Sequence, residues 1–150
     1  MSVYNQAIAF YEYKHLAYEG RADLFWKMEE YDNAHQDYLK ALEKNPDSAY
    51  AWKYKGLLNH YRLDNSKQAI KDLTVAVGLD SDPDTWYELA SVLWHIKDPD
   101  ALSAYESFLN FCQYEICEKN QVDWASRFIA CVNRDTSCTW RKEFYQEWLK

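Results

Sequence analysis

YEGRA at 18–22, WKYKG at 52–56 and WYELA at 86–90 are three versions of one segment, spaced 34 residues apart. Each version begins with an aromatic residue and ends, four positions later, with a small one. A period of about 34 residues with this pairing is typical of a repeated helical hairpin. The spacing therefore predicts a stack of hairpins, because one hairpin alone does not bury its own apolar face.

The second helix of each predicted hairpin has its own recurring pattern. An alanine is followed four positions later by a large apolar or aromatic residue, and further apolar residues come seven and eight positions after the alanine. These offsets lie on one face of an α-helix. The pairs are Ala34 with Tyr38, Ala69 with Leu73, and Ala101 with Tyr105.

The combined pattern resembles the tetratricopeptide repeat family. The resemblance implies an all-α, right-handed solenoid of three hairpins with N- and C-terminal capping helices, forming a single domain over 1–150. The repeats are placed at 15–48, 49–82 and 83–115, with a helical extension at 1–14 and a degenerate fourth hairpin or cap at 116–150. Arg21, Lys55 and Asn59 depart from the family pattern and are expected to weaken individual contacts.

Composition and charge narrow the kinds of partner. The formal net charge is −7, and the longest Lys/Arg cluster is Arg141-Lys142. Nucleic-acid binding needs a basic stripe, so no nucleic-acid partner is expected. No apolar run approaches ~18 residues, so no membrane span is expected. The N-terminus lacks the pattern of a secretory signal, and the cytoplasm is the expected compartment.

The cysteines and histidines indicate no metal, cofactor or catalytic site. Cys112, Cys117, Cys131 and Cys138 are separated by 4, 13 and 6 residues, which is not zinc-ligand spacing. Reduced, mostly buried thiols are the favoured interpretation, with Cys131–Cys138 the first disulfide candidate if the protein is exported. The four histidines lie in four different predicted helices without a catalytic partner, so the chain is not expected to be an enzyme. They are His15, His35, His60 and His95.

The family resemblance also implies that the first helix of each hairpin lines a concave groove. The partner-binding candidates mapped onto that groove are Glu19, Asp23, Trp26, Lys53, Leu57, His60, Tyr61, Tyr87, Ser91, Trp94 and His95. The aromatic candidates are good anchors for an extended peptide or a helix. The alternative is that several of them pack against the terminal helices instead, whereas Trp52 and Trp86 are expected in the core.

The predicted function is non-catalytic binding of a protein or peptide in the groove, as an adaptor or assembly factor. Family members that bind the acidic tails of heat-shock chaperones clamp a carboxylate with Lys, Asn and Arg. The corresponding positions here are Glu19, Asp23, Tyr54, Asp84 and Glu88, whose four acids would repel such a tail. An alternative is a small secretion chaperone that cradles an apolar segment of an exported partner. An unrecognised enzyme is the least favoured alternative, and the oligomeric state is not predicted.

Overall fold

The computed structural model describes residues 2–10, 14–114 and 116–132, and these residues form eight helices and no strand. This confirms the predicted all-α class. The helices are α1 (Ser2–Phe10), α2 (Lys14–Lys27), α3 (Tyr31–Lys44), α4 (Ala49–Tyr61), α5 (Ser66–Leu79), α6 (Pro83–His95), α7 (Ala101–Phe111) and α8 (Lys119–Val132).

Successive helices pair into three hairpins, α2–α3, α4–α5 and α6–α7. The chain divides into two compact units, Met1–Ser81 and Asp82–Lys150. In the first unit, α1 packs on α2 and α3 packs on α4. In the second unit, α8 packs on α7. Residues 133–150 of the predicted fourth hairpin or cap lie outside the described residues.

Side-chain caps and left-handed turns set the helix boundaries. Ser48 and Asp82 each accept a hydrogen bond from the backbone N–H three residues on, which satisfies a free donor at the start of α4 and of α6. The turn between the two helices of each hairpin contains one residue with positive φ. These residues are Glu29 (60°), Asp64 (50°) and Lys97 (61°). A left-handed residue ends an α-helix, so the three turns stop the first helices at equivalent points.

Small residues let the two helices of each hairpin approach closely. Ala22, Gly56 and Ala90 are buried, and so are the alanines opposite them. A Cβ atom added to Gly56 would lie 3.0 Å from Leu73 Cγ and 3.2 Å from the carbonyl oxygen of Ala69. The close approach predicted from the repeat pattern is therefore confirmed.

Two of the departures from the family pattern, Arg21 and Lys55, are ion-paired across their hairpins, and the third, Asn59, is hydrogen-bonded. Arg21 donates two hydrogen bonds to Asp37 across the first hairpin, at 2.5 and 2.7 Å. Lys55 Nζ lies 2.6 Å from Asp72 Oδ1 across the second hairpin, and Asn59 donates to Asp72 Oδ2 at 2.8 Å. Each cation thus has an acid on the facing helix.

The third hairpin replaces this polar network with apolar residues. Leu89, Leu93 and Ala104 stand where the second hairpin has Lys55, Asn59 and Asp72, and all three are buried. A polar network and a set of apolar residues are thus alternative ways to fill the same three positions of the hairpin.

The cysteines correct a second expectation. Cys112 and Cys117 form a disulfide with their Cα atoms 5.5 Å apart, and Cys131 is disulfide-bonded as well. The prediction of reduced thiols is wrong for these three residues. The turn after α7 brings Cys117 back beside the end of that helix, which sequence spacing alone did not reveal. The candidate pairing of Cys131 with Cys138 involves a residue outside the described ranges.

Candidate functional site

A cavity of about 310 Å³ lies in the first unit between α2, α3 and α4. Its α2 wall carries Asp23, Trp26 and Lys27, and its α4 wall carries Tyr50 and Tyr54. Residues three or four apart share one helix face, so each helix presents its members side by side. The remaining lining residue is Tyr38, from α3. Two of the predicted partner-binding residues, Asp23 and Trp26, meet here.

Two tyrosine hydroxyls hold the Asp23 carboxylate in place. Tyr38 Oη donates to Asp23 Oδ1 at 2.6 Å, and Tyr50 Oη donates to Asp23 Oδ2 at 2.7 Å. Burial, and then the hydrogen bond to Asp23, raises the pKa of each phenol above its ordinary value. Both phenols therefore remain protonated donors, and the carboxylate oxygens have fixed positions.

Aromatic rings surround this carboxylate. The Tyr50 and Tyr54 ring centroids are 4.4 Å apart, and Trp26 meets Tyr54 edge to face at 6.5 Å. Tyr38 stacks on Tyr54 at 6.5 Å from within the core. Tyr50 is 42% exposed, whereas Tyr38 has no exposed surface. The cavity thus has an apolar, aromatic wall, one anionic group and an opening to solvent.

The other candidates in the first unit lie outside this cavity. Glu19 is buried and accepts a hydrogen bond from Ser48 Oγ at 2.6 Å, which ties the start of α4 to α2. Lys53 and Leu57 are half-buried on α4. His60 Nδ1 lies 2.9 Å from Ser66 Oγ, and its ring packs on Tyr61 with centroids 4.6 Å apart. Tyr61 is 52% exposed at the end of α4.

In the second unit, the aromatic candidates contact neighbouring helices. Tyr87 packs edge to face on Phe108 at 5.2 Å, and burial raises the pKa of its phenol. Trp94 packs edge to face on Phe128 of α8 at 4.8 Å. Trp94 therefore packs against a helix that follows the three repeats, which is the alternative given in the sequence analysis.

The remaining two candidates of the second unit are Ser91, which is half-buried, and His95. Ser91 Oγ lies 3.3 Å from Tyr105 Oη, which repeats the Asp23–Tyr38 arrangement with a neutral partner. His95 is exposed at the end of α6.

No group of three or more His, Cys, Asp and Glu side chains within 2–10, 14–114 and 116–132 is arranged to bind a metal ion. Nor is any helix in those ranges long and apolar enough to cross a membrane.

Four members of the cavity are not among the predicted partner-binding residues: Lys27, Tyr38, Tyr50 and Tyr54. The helical spacing predicts Tyr38 as the large residue that follows Ala34 on one helix face, and its ring is buried, but its hydroxyl reaches Asp23. Tyr54 is one of the five positions compared with the carboxylate clamp, and that comparison does not predict an aromatic wall. The sequence feature that could have predicted this aromatic wall is the excess of aromatic residues within one helical turn of Asp23 and of Tyr50.

Comparison with known proteins supports the resemblance inferred from the residues. Residues 20–84 match the model of the tetratricopeptide repeat. Among similar solved structures is the first such domain of Spaghetti (RPAP3) bound to the HSP90 peptide SRMEEVD. That match has 20% sequence identity, covers 78% of this chain and 96% of that one, and has a TM-score of 0.65.

Two further solved structures share the fold. The tetratricopeptide domain of Sgt2 from Aspergillus fumigatus is 18% identical, with 83% of this chain and 85% of that one covered and a TM-score of 0.68. PilF of Pseudomonas aeruginosa is 17% identical, with 99% and 71% covered and a TM-score of 0.74. At identities this low, the matches show a shared fold alone.

Proposed function

Since this chain carries tetratricopeptide repeats, we propose that it is a non-catalytic protein-interaction module that binds a peptide or protein segment as an adaptor or assembly factor. The observation that carries the proposal is the open aromatic cavity between α2 and α4. Both helices are first helices of their hairpins, which the family resemblance places along the groove. Trp and Tyr side chains in such a pocket are effective anchors, because they bury a large area at low conformational cost.

The proposed ligand differs from the acidic peptide bound by the structurally similar domain of Spaghetti. That peptide, SRMEEVD, carries three acidic side chains. In this chain Asp23 lies in the cavity and Glu19 is buried beside α4. A ligand carboxylate placed among these acids would be repelled, more strongly where the site excludes water. We therefore propose a partner segment without an acidic terminus.

The test is selection of peptides by the immobilised full-length chain from a library of random, extended peptides. The expected result is a recovered set with a shared motif whose binding is weakened by Trp26→Ala. The matched control is Trp52→Phe, because Trp52 lies outside the cavity and its indole donates to the backbone of Pro46. Recovery of no peptide above background, or equal binding by Trp26→Ala, contradicts the proposal.

The same selection discriminates the alternative function, a chaperone for an apolar segment of an exported partner. That function requires recovered peptides dominated by aliphatic and aromatic residues without a polar consensus. A motif with fixed charged positions favours the adaptor instead, because charges fix the register of a ligand more than they add affinity.

The compartment is a separate proposal. A cytoplasmic location, as expected from the sequence, favours reduced thiols, whereas structural disulfides persist in oxidising compartments. Cys112, Cys117 and Cys131 are all disulfide-bonded, so we propose the oxidised chain as the functional form. Alkylation of thiols in a rapid cell extract, read by mass spectrometry, distinguishes the two. Protected Cys112 and Cys117 support the oxidised form, and complete alkylation supports the cytoplasmic one.

A further inference from the structure

We infer that the cavity around Asp23 takes a cationic side chain, Lys or Arg, of the bound segment. This inference rests on the peptide-binding function proposed above and names the chemistry of one contact in it.

The first argument is the state of the carboxylate. Each Asp23 oxygen accepts one phenol hydrogen bond, from Tyr38 or from Tyr50. A carboxylate oxygen has about two acceptor positions, so each oxygen keeps one for a ligand. The phenols are neutral donors and do not cancel the negative charge. Asp23 is therefore an oriented anion whose free acceptor positions suit an ammonium or a guanidinium group.

The second argument is the aromatic wall. The face of an aromatic ring is the negative end of its quadrupole and attracts a cation within about 6 Å of the centroid. Trp26, Tyr50 and Tyr54 line the same cavity as Asp23. A cation entering here meets aromatic rings and a carboxylate together. An aliphatic side chain uses only the rings and leaves the acid unpaired. The combination favours a cation over a neutral group of the same size.

The third argument is that this combination occurs in one hairpin only. The positions equivalent to Asp23 in the other two repeats are Leu57 and Ser91, neither of which carries a charge. The first hairpin would therefore bind one cationic residue of the segment. This contact would fix the register of the segment along the groove.

The chain also supplies a competing cation. Lys27 lines the cavity and is exposed, so its ammonium group lies within reach of the opening. A like charge at the entrance weakens binding of a second cation by a modest amount, because solvent screens it. Removal of Lys27 and removal of the Asp23 charge must therefore change cation binding in opposite directions, which a purely steric pocket would not do.

The test uses two small probes and the full-length chain. N-acetyl-arginine methylamide is the cationic probe, and N-acetyl-citrulline methylamide is its neutral near-isostere. Binding is followed by the NMR signal of the Trp26 indole N–H. The arginine probe is expected to bind saturably and at least about five-fold more tightly than the citrulline probe. Absence of saturable arginine binding, or equal binding of the two probes, overturns the inference.

Variants separate charge from shape. Asp23→Asn should weaken arginine binding about ten-fold and abolish the preference over citrulline. Asp47→Asn, an exposed residue with the same change in charge, should leave both probes unaffected. Lys27→Met should strengthen arginine binding about two- to five-fold. If Asp23→Asn does not fold, Lys27→Met still decides, because unchanged or weaker arginine binding in that variant contradicts the inference.

The inference and the proposed function fail in different ways. If the peptide selection returns a motif that depends on Trp26 but has no enriched Lys or Arg, the function stands and the cationic contact is wrong. If the arginine probe binds as expected and no peptide is selected, the cationic contact stands and the peptide-binding function is wrong.

Discussion

Replacement of Lys55 by leucine tests the energetic role of the polar network in the second hairpin. Lys55 is 4% exposed and Asp72 is fully buried, and their charged atoms lie 2.6 Å apart. Lys55→Leu leaves the Asp72 carboxylate buried without its cation, although Asn59 and Gln68 still donate to it. Breaking a buried ion pair from one side costs about 3–5 kcal/mol. For a chain of this size, that lowers Tm by roughly 6–20 °C.

The third hairpin supplies the compensating change. Lys55→Leu, Asn59→Leu and Asp72→Ala together install the residues that the chain already carries at 89, 93 and 104. This triple variant has no buried charge and no unpaired amide at these positions. Because well-packed apolar residues often equal or exceed a buried ion pair in stability, its unfolding free energy should lie within about 1 kcal/mol of the wild type or above it.

The assay is urea unfolding of the full chain followed by circular dichroism, with wild type, single and triple variants compared. The control is Lys71→Leu, which removes an exposed lysine of α5 and should change stability by less than about 0.5 kcal/mol. The reasoning is refuted if Lys55→Leu costs no more than Lys71→Leu, or if the triple variant is as unstable as the single one.

Four further predictions concern stability. Gly56→Leu should cost about 1–3 kcal/mol by overpacking the hairpin, and an unchanged thermal midpoint would contradict the close approach. Trp94→Ala should cost roughly 2 kcal/mol, because it removes the contact with Phe128 of α8. This is less than the cost for a fully buried tryptophan, since Trp94 is half-buried. Chemical unfolding measures the cost, and a neutral effect would contradict a stabilising role of this contact. Removal of the disulfide by Cys112→Ser with Cys117→Ser should lower the unfolding free energy by about 2 kcal/mol, since the closed loop is short. Equal stability of the reduced and the untreated wild-type protein would contradict a stabilising role of the disulfide. Burial lowers the pKa of His35, so the unfolded chain binds that proton more readily. Unfolding free energy should therefore fall as pH drops through about 6.5 and below, and His35→Gln should flatten this dependence in a series of unfolding curves.

The hairpins were predictable from the sequence because their signal is local and repeated. Tyr18, Trp52 and Trp86 recur at a fixed period, and small residues follow each at a fixed distance. The period places the six helices of the three hairpins, and the existence of a helix depends mainly on such spacing. The turns between helices absorb the changes in length, so they did not disturb the prediction.

The polar contacts across each hairpin were harder to predict because the partners lie far apart in sequence. Arg21 and Asp37 are 16 residues apart and on different helices. Judged one at a time against the family pattern, Arg21 and Lys55 are unfavourable substitutions. When the first two hairpins are compared with the third, a pattern emerges. A cation on the first helix occurs together with an acid on the second helix, and both are replaced by apolar residues in the third hairpin.

The cavity and the disulfide required three-dimensional geometry. When a tyrosine falls at a core position, helical spacing predicts a buried ring. Spacing does not predict the direction of the hydroxyl group. Tyr38 is such a case, because its ring is buried while its Oη reaches Asp23. Likewise, the four-residue gap between Cys112 and Cys117 is compatible with free thiols or with a bond, and the turn after α7 decides between them.

The most direct test of the proposed binding site is the affinity of one selected peptide for wild-type protein and for Trp26→Ala, measured by isothermal titration calorimetry on the full chain. Truncation of a central aromatic anchor typically costs about 2 kcal/mol or more, so Kd should rise about thirty-fold. The thermal midpoint should change little, because Trp26 lines the wall of an open cavity. An unchanged Kd with an intact fold would show that the peptide binds elsewhere and would contradict the account.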